Sequence, residues 1–412
     1  MNKQKRPTFS YGSVIVASCF SLQAVGIGSY VAFGVFFNPL IAEFGWTRAT
    51  LSGASSLAFF LSGLLGILVG RLNDRVGPRV IVLVCGCLFA LGHVLMSGVG
   101  SVWQLYLFWG VILGVGLSSV DVIALSTIAR WFSKNRGTVT GIVKVGTGFG
   151  QFTIPLAASL LIAGYGWRAS YVILGGAALV LLMAIGLMLR RDPPRSKEAS
   201  QSERSSPEAT GDTVDRGDYI RDALRGRAFW TICAANLSSV FCLMTILVHM
   251  VPHAREIMDT PTKAAGVLST IGAVSIGGRI ITGLAIDRIG TKRSTVFCFL
   301  LLTLVLLWLQ VADEPWMLVL FALFYGVVHG GFFTIISPIV ADYFGIKAHG
   351  FLFGIVAFCG TVGGSVGPFL SGHIFDVTGT YHMAFWVCTV MSVLGLLLML
   401  TLKDNHKWEV AS

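Results

Sequence analysis

Three formal charges stand inside long apolar stretches: Asp121 within residues 103–131, Lys144 within 137–163 and Arg279 within 263–286. A charge at the centre of a hydrocarbon layer costs roughly 3 kcal/mol on insertion scales, so it faces a cavity or a partner. Arg279 is the first candidate for an anion ligand. A guanidinium grips a carboxylate through two parallel hydrogen bonds and stays charged at any physiological pH. It lies about seven residues, or roughly 10 Å, from the end of its stretch, too deep for an end residue. Ser275 and Thr282 share its face at i−4 and i+3, which extends a polar stripe. The competing reading is an Arg that snorkels to the headgroups or is paired structurally.

Asp121 and Lys144 come from consecutive stretches joined by a short turn, at levels roughly 6 Å apart, a gap that a lysine stem covers. They form either a titratable pair linked to proton movement or anion binding, or a permanent ion pair that packs the bundle. Thr140, Thr147 and Gln151 continue the polar face of Lys144. Ser238, Cys242, Thr245 and His249 make a second stripe at helical spacing, ending on a group that titrates in a useful range. A lone histidine near a helix end is more often a structural hydrogen-bonding residue. Tyr30, Tyr325 and His329 are candidate polar groups of a cavity wall, against an alternative of simple packing.

These residues need long helices to hold them. Of 412 residues, 54% are hydrophobic and 12% charged, where a soluble domain carries roughly a quarter charged. Apolar stretches of about twenty residues recur, the length that crosses a bilayer. Helices are expected near 11–37, 48–70, 79–100, 103–131, 137–163, 168–190, 228–252, 263–286, 294–312, 315–343, 349–375 and 382–402. Residues 191–227 are charged, Ser-rich and carry three prolines, and read as a soluble, flexible connector. The chain therefore divides into a six-helix bundle over 1–190, the connector 191–227 and a second bundle over 228–412.

The net charge of +10 does not point to nucleic acid, because the basic residues sit at the ends of apolar stretches. With the N-terminus cytoplasmic, 24 of the 30 Lys and Arg residues fall inside and four outside. That bias favours both ends in the cytoplasm of a multi-pass protein in the cell inner (plasma) membrane. The eight cysteines all lie in apolar stretches without metal spacing, and they read as packing residues. No metal, no cofactor and no enzymatic activity is expected, and the glycine runs at 146–150 and 360–367 lack the Gly-Lys-Ser/Thr of a phosphate loop.

The two halves repeat at an offset of 213 residues. Gly70, Asp74, Arg75 and Gly77 recur as Gly283, Asp287, Arg288 and Gly290, Gly137 and Gly141 as Gly350 and Gly354, and Pro39 and Pro155 as Pro252 and Pro368. Such repeats mark transporters that bind substrate between halves near the midplane.

The Gly-x-x-x-Asp-Arg-x-Gly turn after the second and eighth helices resembles the loop motif of the major facilitator superfamily, where it gates the cytoplasmic side. Trp131 to Gly137, Ser275 to Arg279, and Val248 to Ala254 resemble the monocarboxylate transporter family, the last segment its bacterial members. This resemblance implies that Arg279 holds the substrate carboxylate. Animal members often carry an Asp where Ser275 stands and a Lys near Val31, so their usual proton path is not repeated here.

The expectation is an all-α membrane protein of twelve helices in two pseudo-symmetric bundles. It would carry a small organic monocarboxylate with a proton by alternating access. Its partners would be that anion, the proton and the lipid bilayer, and no nucleic acid. A drug or aromatic-compound exporter of the same fold is the alternative, with a wide apolar cavity and little need of Arg279.

Overall fold

The computed structural model describes residues 11–193, 216–258 and 260–403, and every regular element among them is helical. Helix one covers Tyr11–Phe44, helix two Arg48–Val76, helix three Pro78–Met96 and helix four Val102–Trp131. Helices five and six run together as Arg136–Met188, broken at Gly166 where φ is 77°. Helices seven to twelve are Arg227–Ile257, Pro261–Ile289, Thr291–Leu309, Pro315–Phe344, His349–Thr378 and His382–Thr401. Among the described residues eleven helical segments are long and apolar enough to cross a membrane, and the break at Gly166 divides one of them, which makes twelve crossings.

Their surface is the reverse of a soluble protein's. Leu68, Val84, Val180, Leu187, Phe297, Leu304, Val390 and Leu397 stand exposed along the outer faces, a belt that only lipid can cover.

The repeat is visible in the caps. Thr47 accepts from the Thr50 amide at the start of helix two, and Thr260 accepts from the Lys263 amide at the start of helix eight. Gly77 and Gly290 end those same helices at φ 93° and 86°, values a side chain would strain. Helix one outruns its expected end at 37 and reaches Phe44, and helix seven passes 252 to reach Ile257. Each continues through its proline. In helix one a 3-10 turn at Phe33–Phe36 stands just before Pro39, which lacks the N–H of a regular helical bond.

The expected flexible connector needs correction at its C-terminal end. Residues 194–215 lie outside the described residues, but Arg216–Arg225 is a helix. Tyr219 is buried and its hydroxyl lies beside Gly345, while Trp230 donates its indole N–H to the Leu224 carbonyl at 2.8 Å. Tyr219, Ile220, Ala223 and Leu224 form a short apolar face that the charged composition concealed.

The two sets of six helices meet at the connector end. Helix two packs on helix eleven and helix five on helix eight, with helix ten lying against helices four and five. Small residues let the backbones touch: a side chain at Gly70 would strike the Gly350 carbonyl, and one at Gly137 that of Gly283.

Candidate substrate site and the latch beneath it

The three internal charges lie at one depth. Asp121 is ten residues from the end of helix four at Trp131, and Arg279 is ten from the end of helix eight at Ile289. Lys144 is eight residues into helix five. At 1.5 Å per residue these are about 12 to 15 Å from the connector end, near the middle of a layer roughly 30 Å thick.

Lys144 Nζ sits 2.5 Å from Asp121 Oδ1, so helices four and five carry an ion pair. Gln23 of helix one donates its amide to the same oxygen at 2.7 Å, and Thr147 donates its hydroxyl to Gln23 Oε1 at 2.9 Å. Asp121 is ringed by protein at this depth, yet its side chain keeps 45% of its accessible surface. We read this exposed part, with groups from helices one, five and eight beside it, as facing a cleft between the halves. Lys144 is buried, and its ammonium lies 5.9 Å from the centre of the Phe333 ring on helix ten, a cation–π contact that reaches the other half.

Arg279 faces this group from helix eight. Only 3% of it is exposed, and Nε and Nη1 have no hydrogen-bond partner among the described residues. Burying guanidinium N–H groups without acceptors is costly. Gly148 of helix five stands against it, since a β-carbon there would lie 2.8 Å from Nη1. Asp121 and His329 both lie within electrostatic reach. His329 is buried on helix ten with Nδ1 unpartnered among the described residues, 5.2 Å edge-on to Phe333 and 6.0 Å from Tyr325.

The other sequence candidates are engaged elsewhere. The Tyr30 hydroxyl bonds to the Ser55 carbonyl and hydroxyl at 3.0 Å. Tyr325 is fully buried and donates to the Leu243 carbonyl at 3.0 Å. His249 Nε2 lies 2.9 Å from the Pro368 carbonyl, with the ring against Tyr381. Ser275 turns its hydroxyl back to the Gly272 carbonyl at 2.7 Å. The structure thus groups Asp121, Lys144, Arg279 and His329, and spends Tyr30, Tyr325, His249 and Ser275 on bonds within their own halves. Gln23 and Phe333 were not singled out from sequence. A lone amide in an apolar run was the available signal for Gln23; Phe333 carried none.

Below the charges, the repeated motif ties the halves together. The Asp74 carboxylate accepts from the Gly350 and Phe351 amides at 3.2 and 3.0 Å, at the start of helix eleven. The Asp287 carboxylate accepts from the Gly137 and Thr138 amides at 2.7 and 2.8 Å, at the start of helix five. Each Asp therefore caps the first turn of a helix in the opposite half, where unpaired N–H groups and the helix dipole attract an anion. Arg130 adds a 2.7 Å bond to Asp74, and Arg136 pairs with Asp342 at 2.9 Å. The chain is closed at the connector end, beneath the charged group.

Two sets of helices tied together at one end beneath a mid-membrane group of charges suit a carrier, and comparison with known proteins agrees. The model of the Major Facilitator Superfamily matches residues 18–312 and 273–411. Monocarboxylate transporter 13 of Rattus norvegicus is 26% identical over 98% of this chain and 91% of its own length. The Bos taurus protein of the same name is 28% identical over 96% and 90%, and monocarboxylate transporter 4 of Gallus gallus is 26% identical over 94% and 81%. These relatives are animal proteins, whereas the helix-seven segment pointed to bacterial ones. Among solved structures, the E. coli fucose:proton symporter superposes with a TM-score of 0.74 at 15% identity, covering 96% of this chain and all of that one. The human organic anion transporter MFSD10 gives 0.70 at 16%, covering 94% and 98%. The chain belongs to the Major Facilitator Superfamily and is a membrane transporter, not an enzyme.

Proposed function

We propose that the protein carries a small organic monocarboxylate together with a proton, by rocking of the bodies 1–190 and 228–412 around the charged cleft. One observation carries the reading: Arg279 is buried with guanidinium N–H groups unpartnered among the described residues, beside an acid that already has its own cation. Asp121 and Lys144 cancel, so the cleft holds one surplus positive charge. A single carboxylate arriving with one proton leaves that charge as it was, whereas a dicarboxylate with one proton would lower it by one unit and make the cycle move net charge. The relatives named as monocarboxylate transporters support the same substrate class.

The charge count also favours a proton as the coupled ion. With a proton on Asp121 and an anion on Arg279, the loaded cleft carries the same charge as the empty one. Both forms then move through the membrane potential at equal cost, and the cycle transfers no net charge. The distribution of basic residues supports a cytoplasmic connector and cytoplasmic ends in the plasma membrane, with the Asp74 and Asp287 latches on the inner side.

Uptake by proteoliposomes across a panel of labelled mono- and dicarboxylates, with and without an inward proton gradient, tests this. Saturable uptake of a monocarboxylate, concentrative only with the gradient, is expected. Equal handling of dicarboxylates, or accumulation indifferent to the gradient, would overturn it. Transport of an uncharged aromatic compound unaffected by Arg279→Ala would move the chain to the exporters.

A further inference from the structure

Gln23 is fully buried on helix one, where a primary amide is costly unless both its ends are bonded. Both are. Its Nε2 donates to Asp121 Oδ1, and its Oε1 accepts from Thr147. The orientation follows from the network: turned over, the amide would set Oε1 against a carboxylate oxygen and leave the Thr147 hydroxyl facing an NH2. Lys144 approaches the same Oδ1. Two donors from two helices thus converge on one oxygen of Asp121. Oδ2 accepts no hydrogen bond among the described residues, and the side chain's 45% exposure opens on the cleft.

We propose that Gln23 is a positioning residue for proton binding: by tying Oδ1 it leaves Oδ2 as the oxygen of Asp121 that takes the proton from the cleft. The inference rests on the proton-coupled reading above. The step balances simply. Oδ2 gains an O–H bond, a hydronium in the cleft becomes water, and the carboxylate becomes a neutral acid. Oδ1 is then a carbonyl oxygen and still accepts from Gln23 and Lys144, so the scaffold stays while the charge goes. Lys144 loses its counter-ion, and the cleft gains one unit of positive charge just where an anion must enter. The charged groups that face Asp121 are Lys144 from helix five and Arg279 from helix eight, with His329 of helix ten beyond Arg279. Gln23 is the neutral donor among them, so its removal changes the proton affinity without changing the charge count.

Gln23→Leu keeps the volume and deletes both bonds; Thr147→Val deletes only the bond that orients the amide. A hydrogen bond to the ionised form favours that form. Its loss should therefore let Asp121 protonate at higher pH. Uptake of the best monocarboxylate of the panel is measured against external pH, beside exchange of the same substrate at equal pH on both sides. The half-maximal pH of uptake should rise by about one unit in Gln23→Leu and by less in Thr147→Val, whatever change the rate of equal-pH exchange shows. An unmoved pH profile in both variants, with or without a uniform loss of rate, would overturn the role. If Gln23→Leu does not fold, Thr147→Val decides on the same criterion. A wild-type protein indifferent to the proton gradient would sink the coupled reading itself, a result visible before any variant is made.

Discussion

The latch at the connector end and the charged cleft above it obey different rules. The amide hydrogen bonds that the two aspartates accept across the halves are twinned 213 residues apart: Asp74 with Gly350 and Phe351, Asp287 with Gly137 and Thr138. In the cleft the repeat breaks. The positions matching Asp121, Lys144 and Arg279 are Thr334, Ala357 and Gly66, none of them charged. Gln23 matches Asn236, whose amide goes to the Val356 backbone instead of a carboxylate. A gate needs both halves to close on one another, so symmetry serves it. A substrate with one charged end, as proposed above, would have no symmetry to match, and the charged group is built from unlike residues.

If that division is right, the largest loss comes from the asymmetric cation. Arg279→Ala should insert and fold, since the latch does not use its side chain, and should cut carboxylate uptake by roughly 100-fold or more. Arg279→Lys keeps the charge and loses the planar fork, with an expected loss of about tenfold. Near-normal saturable uptake by the Ala variant would shift the anion to Lys144 and undo the comparison at its centre.

Next comes the pair that the second half lacks. Asp121→Asn leaves Lys144 buried without its counter-ion, and Lys144→Gln leaves Asp121 charged beside Arg279. Each should lower the melting temperature, because an uncompensated buried charge costs more than a removed pair. The double variant should recover the stability and the exchange of substrate at equal pH. Proton-driven accumulation should stay lost in it. Full accumulation by the double variant would make the pair structural packing and leave the asymmetry without a function.

What was legible beforehand divides along the same line. The twelve crossings followed from apolar length, and the repeat of Asp74 and Asp287 was visible because a motif keeps its spacing when a half is duplicated. The three charges were visible because cost marks them out in an apolar run. Their mutual geometry was only half visible. The pairing of Asp121 with Lys144 followed from two adjacent helices, but Phe333 and Gly148 enter from contacts between halves, which no local spacing encodes. Tyr30 and Tyr325 looked like cavity groups for the same reason: their partners, Ser55 and the Leu243 carbonyl, are fixed by packing alone. The connector helix escaped because four apolar residues are too few to outweigh the charged ones around them.

The smallest effect probes whether the latch is as symmetric in energy as in geometry. By the repeat alone, Asp74→Ala and Asp287→Ala should weaken closure equally. Burial argues otherwise. Asp74 is fully buried, and it also holds Arg130, whereas Asp287 is exposed. Losing Asp74 leaves a nearly buried guanidinium with only the more distant Asp192, as well as two amides; losing Asp287 strands the buried Gly137 amide and the half-buried Thr138 amide, and no cation. Hydrogen bonds to a charged group are worth about 1.5–3 kcal/mol where they are buried, so Asp74→Ala should shift opening by roughly 10- to 100-fold. Asp287→Ala should shift it by only a few-fold, and Arg136→Ala, which removes a partly exposed ion pair with Asp342, by no more than that. Hydrogen exchange reads each latch directly. Amides of 349–354 should exchange faster in Asp74→Ala and those of 136–141 faster in Asp287→Ala, with the first effect the larger. Equal acceleration in the two peptides would mean that closure follows the repeat and ignores burial. A larger effect at Asp287 would place the stronger half of the latch on helix five, next to the Lys144 that the cleft depends on.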